Sequence, residues 1–315
     1  MTSSSPLVVF GSVNVDIVCA VDHLPVPGET IHTPRTATGL GGKGANQAAS
    51  IARLGAPVAL VGRTGADPFG TIARDRLAFF GVDLSHLARD PGVATGVAMI
   101  NVDRAGQNTI TVAGGANLAV RPEDADADAV AGLLRRAPVA LFQLEIPIAA
   151  TLAAARIARM GGAVVILDPA PAPGNGLDDS VFRAVDIMTP NETETEALVG
   201  VRPCSREDAA VAAERFLSRG LASVVVKLGA NGVYFRGPAG DGFVEPFPVA
   251  AIDSVAAGDC FNGGLAVALS RGDDLSSAVR FAAACGALAT TRRGASDAAP
   301  SLAEVDALLI RPDLQ

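Results

Sequence analysis

The sequence predicts an α/β fold: a three-layer α/β/α body with a mostly parallel central sheet, and a small antiparallel β lid beside it. Three observations lead there. From residue 123 onward, short apolar runs alternate with helix-like segments, the pattern of strands covered by helices on both faces. Two strand-like segments, 13–38 and 93–113, interrupt that alternation. Aromatic residues make up only 4% of the chain, so Ala, Val, Leu and Ile must build the core, and such small side chains let helices approach a sheet closely.

Residues 7–11 are an apolar run stopped by Gly, which reads as a buried parallel strand. A more alternating strand follows at 13–20, then a Pro-, Gly- and Thr-rich stretch at 22–38 that suits turns and short strands. A glycine cluster at 39–44 leads into a helix of small residues over 46–54, and a strand over 57–61. The next helix, 67–80, ends at Gly81. Segments 93–102 and 108–113 read as strands joined by the polar turn 103–106. Helices at 123–135, 149–160, 192–199 and 205–219 then alternate with strands at 138–144, 163–167, 185–188 and 223–228. A hairpin over 232–248 and helices over 258–270, 274–291 and 301–310 complete the chain. The body is thus expected from 1–12, 39–92 and 114–315, and the lid from 13–38 and 93–113.

With 315 residues, 49% hydrophobic and 18% charged, the chain has the composition of a globular protein with a substantial core. A formal net charge of -8 argues against a nucleic-acid binder, but not against a small anionic ligand held by backbone dipoles. The four cysteines form no CxxC pair and are expected as free thiols in a reducing compartment. The N-terminus lacks a basic n-region and a cleavable h-region, and the Ala-rich run near 278–291 is broken by Arg280, so no membrane association and a cytoplasmic location are expected.

Gly39, Gly41 and Gly44 spell GxGxxG, but residues 31–38 are polar and contain Pro, so the strand that a dinucleotide fingerprint needs is not expected there. Walker A also fails, because Gly42-Lys43 is followed by Gly44. What remains is a glycine-rich loop with one lysine, which suits either close approach to a ligand or a tight turn. The second constellation is Ala256-Ala257-Gly258-Asp259 before a helix-like run. Small residues at a helix start leave amides free to hold phosphoryl oxygens, and an Asp there can take a hydroxyl proton while nearby N–H donors keep it ionised. An Asp that merely caps an ordinary helix explains the residues equally well.

Residues 11–16 (Gly-Ser-Val-Asn-Val-Asp) with 41–50 (Gly-Gly-Lys-Gly-Ala-Asn-Gln-Ala-Ala-Ser) resemble the N-terminal signature of the ribokinase family of carbohydrate kinases. The resemblance continues through 62–70, 106–118, Gln143-Leu144-Glu145, Pro169–Pro171, Asn191–Glu194, Lys227–Gly232 and Asp253–Gly264, nearly the whole chain in order. It implies ATP-dependent phosphorylation of a sugar, with the primary 5-hydroxyl of D-ribose as the expected acceptor and another sugar, a nucleoside or a sugar phosphate as the alternative. It further implies Asp259 as general base and the amides of Ala256, Ala257 and Gly258 as anion hole. Asn14, Asp16, Gly42, Lys43, Asn46, Glu145 and Asp259 fall on sugar-contacting positions. Asn191 and Glu194, near water-coordinated Mg²⁺, fall with Lys227, Gly229 and Gly258 on nucleotide positions. Family members often carry Thr or Ser at the position of Lys227, which either adds charge to phosphate or points elsewhere. Asp253, Val255, Ala289, Arg292, Gly294 and Ala298 match a K⁺ site, with Ala298 lacking the hydroxyl often found there. A homodimer through the lid is also implied, one lid face covering the sugar and the other meeting a partner. A non-enzymatic sugar sensor of the same fold would need neither Asp259 nor the Asn191/Glu194 pair.

Overall fold

The computed structural model describes residues 5–310, so the N-terminal run 1–4 and the tail 311–315 lie outside the described residues. The chain opens with β1 (Leu7–Phe10), β2 (Asn14–Ala20), β3 (Arg35–Gly41), α1 (Lys43–Arg53), β4 (Val58–Gly65), α2 (Pro68–Phe80), β5 (Leu87–Asp90), β6 (Gly96–Val102) and β7 (Asn108–Ala113). It continues with α3 (Pro122–Asp126), α4 (Asp128–Arg136), β8 (Val139–Phe142), α5 (Ile148–Met160), β9 (Val164–Leu167), α6 (Asp179–Ala184), β10 (Ile187–Met188), α7 (Glu192–Val199), α8 (Arg206–Ser218) and β11 (Ser223–Lys227). The hairpin β12 (Val233–Gly237) and β13 (Gly240–Val244), then α9 (Ala257–Ser270), α10 (Leu275–Ala289) and α11 (Leu302–Leu309), complete it.

Helix ends follow their local chemistry. Asp67 accepts from the Gly70 amide to cap α2, Pro68 occupies its first turn, and Gly81 closes it in the left-handed conformation. Ser205 and Asp274 cap α8 and α10 in the same way. Asn191 and Glu194 form a reciprocal capping box on α7, which closes at left-handed Gly200. Helix α9 has no side-chain cap and starts instead from Ala256 in the left-handed region.

The large sheet runs β13-β12-β11-β10-β9-β8-β1-β4-β5, parallel throughout except for the β12–β13 hairpin at one edge. Alternation of side chains divides the core in two. Val8, Phe10, Ala140, Phe142, Val165 and Leu167 pack towards Leu134, Ala154, Phe182 and Phe216. Leu7, Val9, Leu141, Ile166 and Val225 pack on the opposite face towards Ile51, Leu77, Leu265 and Val279. A sheet buried on both faces gives three layers, as the continuous apolar runs predict. Strand order reverses at β1, between β8 and β4, so the crevice beyond the carboxyl ends of these strands is where an α/β sheet of this kind takes its ligand. Among the described residues, no helix is long and apolar enough to cross a membrane.

The small sheet has order β3-β2-β6-β7. It is mixed rather than antiparallel, because β2 and β6 pair in parallel while β2–β3 and β6–β7 are antiparallel. The β6–β7 pairing follows from the local turn 103–106, whereas the partner of β2 is set by the long path through α1, β4, α2 and β5. Strand β3 lies partly in the stretch 22–38 expected as turns and short strands; residues 35–38 are exposed, so no apolar alternation marks its bounds. It belongs to the small sheet, so the strand before the glycine cluster is not the one a dinucleotide fingerprint requires.

Register also corrects the expected division of faces. Residues paired across strands share a face. Asp16 pairs with Ala98 and Ala98 with Val112, so Val112, and Ile110 two residues away, lie on the Asp16 face. These two are 54% and 55% exposed. The other face carries Val15 and Leu40, which are buried in the same core as Ala73 and Leu77 of α2, so it is already partly covered.

Phe216, fully buried with its ring centroid 6.0 Å from that of Phe182, anchors α8 to one side of the sheet. Phe216→Ala is expected to destabilise the fold by about 3–5 kcal/mol, read from urea unfolding; an unchanged midpoint would contradict this packing.

Candidate active site

Each carboxyl end of the central strands delivers polar side chains to one crevice. Ser12 follows β1, Gln143 and Glu145 follow β8, Asp168 follows β9, Asn191 and Glu194 follow β10, and Lys227 ends β11. The N-termini of α1 and α9 close in from the side.

Asp259 lies in the first turn of α9 and is 5% exposed. Its Oδ2 accepts from Asn46 Nδ2 and its Oδ1 from Gln47 Nε2, both at 3.1 Å. Burial pushes the carboxyl up to about 6, with Lys43 and the Asn46 bond opposing and the charges of Asp168 and Glu145 adding to the rise. Desolvation thus outweighs the donors that favour the carboxylate, yet the group remains mostly ionised at neutral pH. The turn before it is built by Ala256 at φ 57, the only non-glycine residue with positive φ among the described residues. An alanine in this region costs roughly 1 kcal/mol, a strain found where a backbone must aim its amides. The amides of Ala256 and Gly258 take no hydrogen bond among the described residues, whereas the Ala257 N–H donates to the Ser254 carbonyl at 3.2 Å. The free donors at this turn are thus those of Ala256 and Gly258, and not Ala257.

At the start of β2, Asn14 is buried, and its Oδ1 accepts from Asn117 Nδ2 at 2.7 Å. Asn117 also bonds both the amide and the carbonyl of Val13, which fixes the start of β2. Asp16 accepts no hydrogen bond among the described residues, and burial together with the nearby Glu145 carboxylate pushes it up to about 6. Gly41 faces it so closely that a Cβ there would stand 1.9 Å from Asp16 Oδ1. Gly42, at φ 87, turns the chain into α1 and must be glycine for that conformation. Glu145 Oε2 accepts from Ser12 Oγ at 2.5 Å and from the Lys43 amide at 2.9 Å, tying the α1 N-terminus to β1 and β8. Asn46 Oδ1 is buried without a partner, an acceptor aimed into the crevice.

Lys43 Nζ lies 3.8 Å from Asp168 Oδ2. Burial alone would push its ammonium down, but Asp168, Asp259, Glu145 and Glu194 together hold it above its ordinary value. Asp168 is 1% exposed and also receives Lys227 Nζ at 3.2 Å and Gln47 Nε2 at 3.2 Å. Glu194 is buried; both its oxygens accept from Asn191, through the amide at 2.9 Å and Nδ2 at 3.0 Å. Burial pushes Glu194 up, opposed by Lys227. Gly229 lies near Glu192, whose Oε1 stands 3.4 Å from the point a Cβ would occupy.

The cation positions form a separate cluster behind the α9 turn. Asp253 accepts from the amides of Val255 at 3.0 Å and Gly294 at 3.3 Å, drawing the two loops together. Buried Ala298 and Ala289 lie beneath, and the carbonyls of Val255, Gly294 and Ala298 take no hydrogen bond among the described residues. The Arg292 side chain instead pairs with Glu304 at 2.5 Å, which leaves only its backbone for a cation.

Sequence reasoning missed Asp168, Gln47, Gln143 and Asn117 as members of this network. Asp168 carried one signal, a charged residue directly after the apolar run 163–167. The polar partners of the others lie far away in the chain, beyond any local pattern.

The arrangement can bind a polyol among carboxylates and amides, take a hydroxyl proton at Asp259 and hold an anion at the α9 turn. Residues 5–302 match the model of the "pfkB family carbohydrate kinase". The chain is 38% identical to a ribokinase of Haemophilus influenzae, over 95% of this chain and 96% of that one. It is similar to the structure of Arabidopsis thaliana ribokinase complexed with ribose and ATP, with a TM-score of 0.92 and 34% identity over 98% and 99% of the two chains. Thermotoga maritima ribokinase is similar with a TM-score of 0.86 and 37% identity over 97% and 99%. The chain belongs to the pfkB family of carbohydrate kinases.

Proposed function

We propose that the protein transfers the γ-phosphoryl group of ATP to the primary 5-hydroxyl of D-ribose, giving ribose 5-phosphate and ADP. The observation that carries this reading is Asp259, poised at about 6 at the α9 turn with its free amides and bonded to Asn46, whose own Oδ1 has no partner. The similarity to ribokinases of three organisms supports ribose as acceptor.

Asn14, Asp16, Gly42, Lys43, Asn46 and Glu145 bind the sugar hydroxyls. The carboxylate of Asp16 and the unpartnered Asn46 Oδ1 accept hydroxyl protons, and the Lys43 ammonium donates. Asp259 takes the proton of the 5-hydroxyl as its oxygen bonds to the γ-phosphorus. The bond from that phosphorus to the β,γ-bridging oxygen breaks, and ADP leaves. The amides of Ala256 and Gly258, aided by the α9 dipole, hold the charge on the transferring group. The strained backbone from Ala256 to Ala257 aims them, so Ala257 contributes its position rather than its N–H. Asn191, Glu194, Lys227 and Gly229 line the nucleotide side.

Among the described residues, no group of three or more His, Cys, Asp or Glu side chains is arranged to hold a metal. That fits Mg²⁺ carried by the ATP phosphates and its own waters, with Glu194 as the carboxylate that meets those waters. When bound, Mg²⁺ neutralises phosphate charge. The loops 253–255 and 292–298, with their free carbonyls, fit K⁺, which would add positive field behind the α9 turn.

The small sheet serves as a lid over the sugar, excluding water from the reaction. Its exposed apolar positions Ile110 and Val112 support a homodimer in which two lids meet through the face that carries Asp16. Free cysteines are consistent with a reducing cytoplasm.

Asp259→Asn should reduce turnover at least ~100-fold while changing ribose affinity less, in a coupled ADP-release assay; near-normal turnover would remove the base assignment. A base with its affinity for protons raised is protonated first on acidification. The kcat/KM for ribose should therefore fall as pH drops through about 6 and stay level above it; a rate that is flat down to pH about 5 would contradict this. K⁺ should raise the rate more than Na⁺, and equal rates with and without K⁺ would exclude the cation site. A panel that adds deoxyribose and nucleosides to the same assay should show the highest kcat/KM for ribose.

A further inference from the structure

We propose that Asp168 is the positioning residue of the transfer site: it holds Lys227 at the mouth of the anion hole for the transferring phosphoryl group and, through Gln47, fixes the carboxylate of Asp259. This rests on the reading of Asp259 as base.

The geometry carries the assignment. Asp168 stands one residue beyond β9, with one oxygen on Lys227 Nζ and the other on Gln47 Nε2, each at 3.2 Å. The same Gln47 nitrogen reaches Asp259 Oδ1 at 3.1 Å, so one amide joins the two carboxylates. Gln47 cannot turn over, because its Oε1 accepts from Gln143 Nε2 at 2.5 Å. Buried Gln47, Gln143 and Asp168, with the partly buried Lys227, drawn from α1 and three strand ends, therefore set the direction of the base.

Lys227 faces the hole. Its ammonium lies 3.5 Å from the point where a Cβ on Gly258 would sit, and 6.0 Å from the Phe261 ring centroid. Gly258 thus leaves the ammonium an open line to the turn. A lysine on a four-carbon stem is a mobile point charge, and holding it beforehand removes that ordering from the reaction step. Asp168 supplies the hold and also the counter-charge until the phosphates of ATP arrive. Lys43, paired with the Gln47-side oxygen at 3.8 Å, balances the second negative charge when Lys227 turns to phosphate.

Asp168 also acts on the base through its own charge. Asp259 faces Lys43 from α1, Glu145 from the end of β8 and Asp168 from the end of β9, and the two carboxylates favour its protonated form. Removing Asp168 takes a like charge from beside Asp259 whatever its role, so the split between kcat and KM and the coupling to Lys227 separate positioning from the mere neutralisation of two partly buried lysines.

The test uses the full chain with Asp168→Asn, Lys227→Met, both together and Asp259→Asn. Each is assayed for kcat and KM with ribose and ATP across pH and for thermal melting. Asp168→Asn should lower kcat roughly 10-fold or more with a smaller change in ribose KM, and should move the acid limb of the pH profile to lower pH, since a like charge has gone. Lys227→Met should lower kcat, and the double variant should be little worse than the poorer single one, because the two residues act as a unit. Losses that multiply independently in the double variant would overturn the proposal. So would an Asp168→Asn enzyme whose acid limb is unmoved, whatever its melting temperature, while Asp259→Asn is inactive. An active Asp259→Asn enzyme would overturn the base assignment instead.

Discussion

A carboxylate taken out of water must be compensated, and that constraint organises this molecule. Asp259 is buried at the start of α9, where little water can reach it. Two amide side chains from α1 solvate it in water's place, and the first turn of α1 is tied to β1 and β8 through Ser12 and Glu145. Compensation is incomplete, so the group remains near the point where it can both lose and gain a proton. A fully satisfied carboxylate would be a poorer base, and an unsatisfied one would stay protonated.

The parallel sheet makes such compensation possible across a long chain. Every central strand ends at the same rim, so residues far apart in sequence arrive as neighbours: Ser12 meets Glu145, Asn46 and Gln47 meet Asp259, and Lys227 meets Asp168. The rim gathers carboxylates around two lysines, and the overall negative charge of the chain gives no hint of this local balance.

The body of the fold was legible because its strands are buried on both faces and read as unbroken apolar runs, such as Leu7–Phe10 and Val164–Leu167. Asp259 stood out because small residues precede a helix there, but that local pattern fits a plain helix cap equally well, and its expected role as base came from the resemblance. Strand β3 was not, since its exposed Arg, Thr and Ala carry no burial pattern. The parallel pairing of β2 with β6 was not either, because only local turns announce pairing and this one is non-local. Asp168 looked like the end of a strand. Its meaning lies in Lys227, and only the folded sheet brings the two together. The raised proton affinity of Asp259 was hidden from the sequence for the same reason: donors can be guessed from neighbouring amides, but depth cannot.

Strand β7 carries a cost of a different kind. Its six residues, Asn-Thr-Ile-Thr-Val-Ala, are uncharged, rich in β-branched side chains, free of proline and exposed along their whole length at the edge of the small sheet. An edge of this composition is a template on which further strands can grow. Colloidal behaviour therefore hangs on this edge: what covers β7 guards solubility, and the chain's net negative charge is its general defence against self-association when that cover is missing.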